Sequence, residues 1–327
     1  MRVTFLVDRC FAPRADPQFA RAWDHASPLM EHHVVHAARE AGHETSVIVL
    51  RNDVRATLAT IRRTRPDVVF NLIEHYRDNR MHAAHVATLL AAEGWRVTGC
   101  DGPASLLTCD KVASTRLVAA QGLCVPRTIS FPLGRRREPR DLRFPLLVKP
   151  RFEDGSAGIS LRSLVHDGKA LAERVASVHR RYRQDALAQE YIDGPEVSVG
   201  VLSTRPLRAL PAREMVFGGR LNGGPPFATE LVKESKRYAE RWDVFYRRAD
   251  LPPRLERAIA KFAMRVYRLF RMRGYGRVDL RIAPDGRPVF LEANVNPDIR
   301  PRTFGVMAQW GGIEYVEFID LLVRLAS

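Results

Sequence analysis

Short apolar runs alternate with amphipathic stretches through the first hundred residues. Residues 3–7, 45–50 and 67–72 read as buried strands, and 97–99 as a short fourth one. Helical periodicity fills the gaps at about 29–41, up to 64, and 81–93, with Gly42 and Pro66 as stops. Strands separated by helices at this spacing predict a parallel sheet in an α/β domain. Ligands of such sheets gather outside the carboxyl ends of the strands, which points to residues 8–11 and 73–79.

After residue 103 the pattern changes. A helix over 111–120 closes at Gly122, and a buried strand over 144–150 carries Lys149 near its end. The loop that follows, 151–158, holds Gly155, Ser156 and Gly158, small residues that let backbone N–H groups approach an anion. The Gly-Lys-Ser/Thr order of a Walker loop is absent, and a plain turn fits this segment equally well. A helix over 168–184 leads to strand, turn and strand over 186–201. Four glycines and two prolines make 217–227 a loop, and 230–248 is dense in charge and aromatics. Helical periodicity over 255–272 delivers the chain to a hairpin, and an amphipathic helix over 313–325 closes it.

The hairpin carries the most chemistry. Its arms, 276–280 and 289–297, are joined by Pro284-Asp285-Gly286. Arg277 and Asp279 lie two apart on the first arm and share a face, as do Glu292 and Asn294 on the second. If the faces coincide, Asp279, Glu292 and Asn294 form an all-oxygen site suited to Mg²⁺, with Arg277 beside it. A solvated hairpin face is the alternative.

Composition narrows the picture only slightly. The 327 residues suffice for two or three domains, and 46% hydrophobic content argues against disorder. No apolar run reaches a membrane span, and the N-terminus turns charged too early for a signal peptide. Four cysteines without paired spacing suit reduced thiols and a cytoplasmic protein. Net charge is +15, but the arginines are spread along the chain, and the basic cluster at 134–137 sits between prolines. Aromatics interleaved on a basic strand face are absent, so a nucleic-acid function is not expected. The histidine groups His32, His33, His36 and His82, His85 lack completing ligands and read as ordinary helix positions.

The order Asp110-Lys111, Val148-Lys149-Pro150, Gly155-Ser156-Ala157-Gly158-Ile159, residues 189–196, Arg277-Val278-Asp279 and Glu292-Ala293-Asn294 resembles the ATP-grasp superfamily, and within it the D-alanine–D-alanine ligases. The resemblance implies an ATP-grasp fold, α/β at the N-terminus and α+β in the C-terminal half. It implies a division into an N-terminal domain (1–103), a central subdomain (104–191) and a C-terminal subdomain with the metal hairpin (192–327). It further implies that Lys111 and Lys149 contact ATP phosphates, with Gly155, Ser156 and Gly158 in the phosphate loop. Gln189 would meet the adenine amino group, the backbones of Glu190 and Ile192 the adenine hinge, and Glu196 the ribose. Asp279, Glu292 and Asn294 would hold two Mg²⁺ ions, for which Mn²⁺ can substitute. Arg277 would stabilise the charge developing on the substrate carboxyl, and Lys236 matches the lysine of a loop closing over the γ-phosphate. The implied chemistry is ATP-dependent joining of a small carboxylate to an amine through an acylphosphate, with no covalent protein nucleophile. Monomer and homodimer are both compatible with it.

Departures from the family pattern fall on the amino-acid pockets. The third strand runs into Glu74-His75-Tyr76-Arg77-Asp78-Asn79, and the metal motif into Asn296-Pro297-Asp298. Asp298 is a candidate for a substrate ammonium or else a turn residue, and Thr303 for the role of the family's serine. These features favour an amino-acid or dipeptide-type ligase with its own substrates. A true D-alanine–D-alanine ligase and a non-catalytic ATP-grasp-like binding protein are the alternatives.

Overall fold

The computed structural model describes residues 1–77, 79–135 and 142–326, with Leu221 described in its backbone alone. Asp78, and Arg136 and Arg137 of the basic cluster, lie outside the described residues. The first part runs β1 (Arg2–Asp8), α1 (Met30–Glu40), β2 (Glu44–Leu50), α2 (Val54–Thr64), β3 (Val68–Leu72) and α3 (Met81–Ala92). The strands form a parallel sheet in the order β2-β1-β3. Both faces are covered, as a parallel sheet requires. Val3, Phe5 and Val7 pack toward α1, while Leu6 joins Leu58, Ile61, Val86 and Leu90 on the other side. The expected strand at 97–99 is only an isolated bridge between Val69 and Val97. Gly99 turns away there with a φ of 78°, and a Cβ on it would lie 2.1 Å from Asn296 Oδ1.

The central part runs α4 (Gly102–Cys109), α5 (Lys111–Ala120), β4 (Thr128–Phe131), β5 (Leu146–Pro150), β6 (Leu164–Val165), α6 (Gly168–Tyr182) and β7 (Ala186–Glu190). Its antiparallel sheet has the order β4-β7-β5-β6, and α6 covers it through Leu171, Val175 and Val178. Neither α4 nor β4 was expected from the pattern, since each is too short to establish a period.

The last part holds β8 (Glu196–Leu202), β9 (Arg208–Ala209), β10 (Arg213–Phe217), α7 (Glu230–Glu234), α8 (Lys236–Arg241), β11 (Val244–Arg248), α9 (Pro253–Leu269), β12 (Tyr275–Ile282), β13 (Pro288–Asn294), α10 (Phe304–Trp310) and α11 (Tyr315–Arg324). The sheet order is β11-β10-β8-β12-β13, with β9 on β8. Val197, Val199, Val201, Val278 and Leu280 turn to α9, where Ile259, Phe262, Ala263 and Val266 meet them. Strand alternation therefore sends Glu196, Ser198, Arg277 and Asp279 to the opposite face. The closing helix α11 turns mainly to the first part: Phe318, Ile319, Leu322 and Val323 complete the core of β1 and α1, which Leu202 and Tyr275 join from the end of this sheet.

Candidate active site

Strand register assembles the site. Arg277 pairs with Asn294 and Asp279 with Glu292 across the hairpin, so the two faces coincide. A bulge between Asp279 and Leu280 leaves Leu291 as the extra residue of β13. Phe290 stays in the core, while Leu291 and Glu292 both line the cavity. The row continues across the sheet, because Asp279 also pairs with Ser198, and Ser198 with Arg213.

Asp279 is heavily engaged. Arg277 donates to its two oxygens from Nε and a terminal nitrogen, each at 2.8 Å, and Asn294 Nδ2 donates at 3.0 Å. Burial pushes the Glu292 carboxyl up, and the nearby Asp154 adds to this, against the pull of Lys111 and Lys149. A half-buried carboxylate destabilised in this way beside a second one is a setting that a divalent cation relieves. Two carboxylates and an amide oxygen are the hard donors Mg²⁺ takes, so the residues present fit the ion.

The residues expected at the nucleotide, Lys111, Lys149, Gln189, Glu190, Ile192, Glu196, Gly155 and Ser156, all line one cavity. Lys149 is buried at the end of β5 and its ammonium is pushed down to about 8. Burial is the main cause, and Lys111 adds to it. Lys111 opens α5 and donates to the Glu153 carbonyl. Asp110 caps the same helix through the amides of Val112 and Ala113, and takes the Arg151 fork at 2.8 and 2.6 Å. Gln189 donates to Thr128 Oγ1 at 3.1 Å, and the Glu190 amide to the Arg127 carbonyl at 2.9 Å. Arg281 holds the hinge from beneath: it donates to the Ile192 carbonyl at 2.8 Å, to Glu196 Oε2 at 3.0 Å, and lies over Tyr191.

The phosphate loop differs from its expectation. The Gly155 amide bonds to the Asp154 side chain at 2.6 Å, and the Gly158 amide to Glu230 at 3.1 Å. Gly158 is not among the cavity's lining residues. Its φ is 74°, and a Cβ would lie 2.8 Å from both Pro150 and Tyr182, so packing demands the glycine. Lys236 is also displaced from its expected place. It is 91% exposed on α8 and pairs with Glu240. Lys233, one turn earlier on α7, lines the cavity instead and donates to Tyr246 Oη at 2.7 Å.

A second chamber of about 540 Å³ adjoins the first, sharing Asp154, Arg213, Lys233, Tyr246 and Arg277 with it. Glu74, His75, Asn296, Asp298 and Thr303 all line this chamber. Several are already committed. Asn296 Oδ1 accepts the Cys100 amide at 3.1 Å. Asp298 is held by Arg300 through the backbone amide and a guanidinium bond of 2.6 Å. Burial alone would raise its carboxyl, but Arg300 holds it below the usual range. The Asp298 side chain is therefore half of an ion pair rather than a free acceptor. Thr303 spends its hydroxyl proton on the Asp298 and Arg300 carbonyls. Glu74 opens to the chamber, and the protein packed around its carboxyl raises it against the pull of Arg80.

Five further residues belong here that the sequence pattern did not flag: Glu31, Arg80, Asp154, Arg213 and Tyr246. Arg80 reaches from the start of α3 to Asp154 in the phosphate loop, a bridge between the first and central parts. Glu31 is 1% exposed on α1, and its carboxyl is pushed up to about 8, by burial foremost and then by Glu74, Asp298 and Asp8.

Comparison with known proteins gives the family of the chain. The model for the D-ala D-ala ligase C-terminus matches residues 131–324. An uncharacterized protein, y4sG of Sinorhizobium fredii, is 32% identical over 90% of this chain and 86% of its own. A D-alanine–D-alanine ligase of Anaeromyxobacter sp. is 32% identical over 80% of this chain and 79% of its own. The crystal structure of the Bacillus anthracis D-alanine–D-alanine ligase complexed with ATP superposes with a TM-score of 0.75 at 18% identity, covering 99% of this chain and 97% of that one. The chain belongs to the D-alanine–D-alanine ligase family, and is an ATP-grasp ligase that joins a carboxylate to an amine with release of ADP.

Proposed function

We propose that this protein phosphorylates a small carboxylate with ATP and passes the acyl group to an amine in the chamber bounded by Glu74 and Asp298. The observation that carries the reading is the cross-strand pair Glu292 and Asp279, which shares one cavity with Lys149 and Lys111 next to that chamber. Asp279, Glu292 and Asn294 would hold two Mg²⁺ ions, which neutralise the phosphates when bound. Lys149 and Lys111 set the phosphates, and Gln189, Glu190, Ile192 and Glu196 set the nucleoside. Arg277 faces the carbonyl oxygen on which charge develops as the amine attacks. Lys233 takes the part expected of Lys236, because it reaches both chambers from the segment between β10 and β11. Closure of the segment that bears Lys233 over the chamber would keep water from the acylphosphate.

The same reading keeps the division at 103/104 and 191/192, with α11 returning to the first part. The chamber volume and the paired Asp298 support substrates other than two alanines, joined as an amino-acid or dipeptide-type ligation. Four free cysteines suit a cytoplasmic setting, and no helix among the described residues is long and apolar enough to cross a membrane.

The test is ATP turnover against a panel of amino acids and amines. Glu292→Gln should abolish Mg²⁺-dependent ADP release while circular dichroism and melting stay those of the native protein. Unchanged turnover would remove the metal assignment.

A further inference from the structure

The two chambers meet at a guanidinium that the reaction outlined above does not use. Arg213 is 8% exposed, lines both chambers, and lies flat over Tyr246 with Cζ 3.5 Å from the ring centroid. Its Nε is buried without a hydrogen-bond partner among the described residues, a costly state for a charged donor. Burial pushes the guanidinium down from the ordinary arginine range, and the neighbouring Arg277 adds to this. The other arginines lining the chambers all have carboxylates: Arg277 has Asp279, Arg281 has Glu196, Arg80 has Asp154 and Arg300 has Asp298. Arg213 has none among the described residues. Its position is fixed by the sheet, two strands from Asp279 in the row that ends at Glu292. Two strand spacings make this about 10 Å, beyond the metal ligands and on the substrate side.

We propose that Arg213 reads an anionic group on the substrate other than the carboxylate that is phosphorylated, so that at least one substrate is an acidic amino acid or a comparable dicarboxylate. This rests on the ligase reading and deepens it by naming a substrate class. A substrate carboxylate in the chamber would give the Arg213 guanidinium the charge partner it lacks, and a chamber of about 540 Å³ has room for the extra group. Arg277 is not open to this second anion, because Asp279 holds its Nε and one terminal nitrogen and the remaining donors face the acyl oxygen.

The experiment compares acid and amide partners, glutamate with glutamine and aspartate with asparagine, each offered with a common second substrate. Native protein should use the acidic member of a pair with a kcat/KM about 10- to 100-fold higher. Arg213→Met should erase that preference through KM, leaving the KM for ATP unchanged, and Arg213→Lys should retain part of it. A binding arm needs no turnover: with a non-hydrolysable ATP analogue and Mg²⁺, glutamate or aspartate should raise the melting temperature of the native protein and not that of Arg213→Met. Equal use and equal stabilisation by acid and amide would overturn the proposal. So would an Arg213→Met that lowers kcat alike for every pair, which is the mark of a group acting on the phosphoryl. Absent ADP release with intact stabilisation by acids would instead count against the ligase reading alone. If Arg213→Met fails to fold, Arg213→Lys carries the comparison.

Discussion

Single residues show how far burial, rather than residue type, decides the chemistry. Glu31 sits on a helix whose alternation reads as amphipathic, yet it is inside, with its carboxyl raised from the ordinary 4.5 to about 8. The folded state therefore holds a proton that the unfolded chain has lost between those values. Stability conferred by that proton is complete below the lower value and declines as pH rises through the window. Glu31→Gln, neutral at every pH, should raise the melting temperature at pH 8 more than at pH 5, and equal shifts would contradict the buried acid. The sequence could not rank Glu31 above the other acids of the first part, because its burial and the carboxylates of Glu74, Asp298 and Asp8 near it arise only in the tertiary fold. Arg213 was hidden for a similar reason. An Arg-Glu pair at the start of a strand looks solvated on both faces, and Glu214 does pair outward with Arg247.

Elements carry the legible half of the site. Alternation and an Asp-Gly turn predict the hairpin, and the register of β12 on β13 makes its faces coincide. Lys236 lies away from the cavity that Lys233 lines because helix phase is broken between α7 and α8. Ser235 adopts φ −118° and ψ 104° and caps α8 through the Tyr238 amide, so Lys233 and Lys236, three apart, do not share a face. The start of α5 makes the opposite case, where one residue does several jobs. Asp110 caps the helix and receives the Arg151 fork, while Arg151 also reaches Asp185 at 2.9 Å. This joins the strand that bears Lys149 to the helix that begins at Lys111. Asp110→Ala loses the cap and one charge-assisted pair, together about 2 kcal/mol after allowance for partial exposure. It should lower the melting temperature and raise the KM for ATP, whereas an unchanged KM would show that the cap does not set Lys111.

At the scale of the molecule, α11 closes the core of the β1–β3 sheet and α1. Sequence periodicity gives α11 an apolar face but not its partner, which lies almost three hundred residues away on α1. Phe318, Ile319, Leu322 and Val323 are each 1% exposed or less. At about 1.5–3 kcal/mol for each buried side chain, their loss is comparable to the whole net stability of a domain, about 5–15 kcal/mol. His43 adds a tie at 3.0 Å to Asp320, and Arg96 reaches the Ala326 carbonyl at 3.1 Å. Deleting residues 313–327 should therefore unfold the β1–β3 sheet while the β8–β13 sheet, whose core rests on α9, keeps its protection. Hydrogen exchange read by mass spectrometry separates the two. Protected amides in β1 and β3 of the truncated chain would mean that the first domain stands without α11. Their loss should be accompanied by loss of ligation but not of nucleotide binding, because Glu74 and Glu31 belong to the first part and Lys149, Glu196 and Glu292 do not.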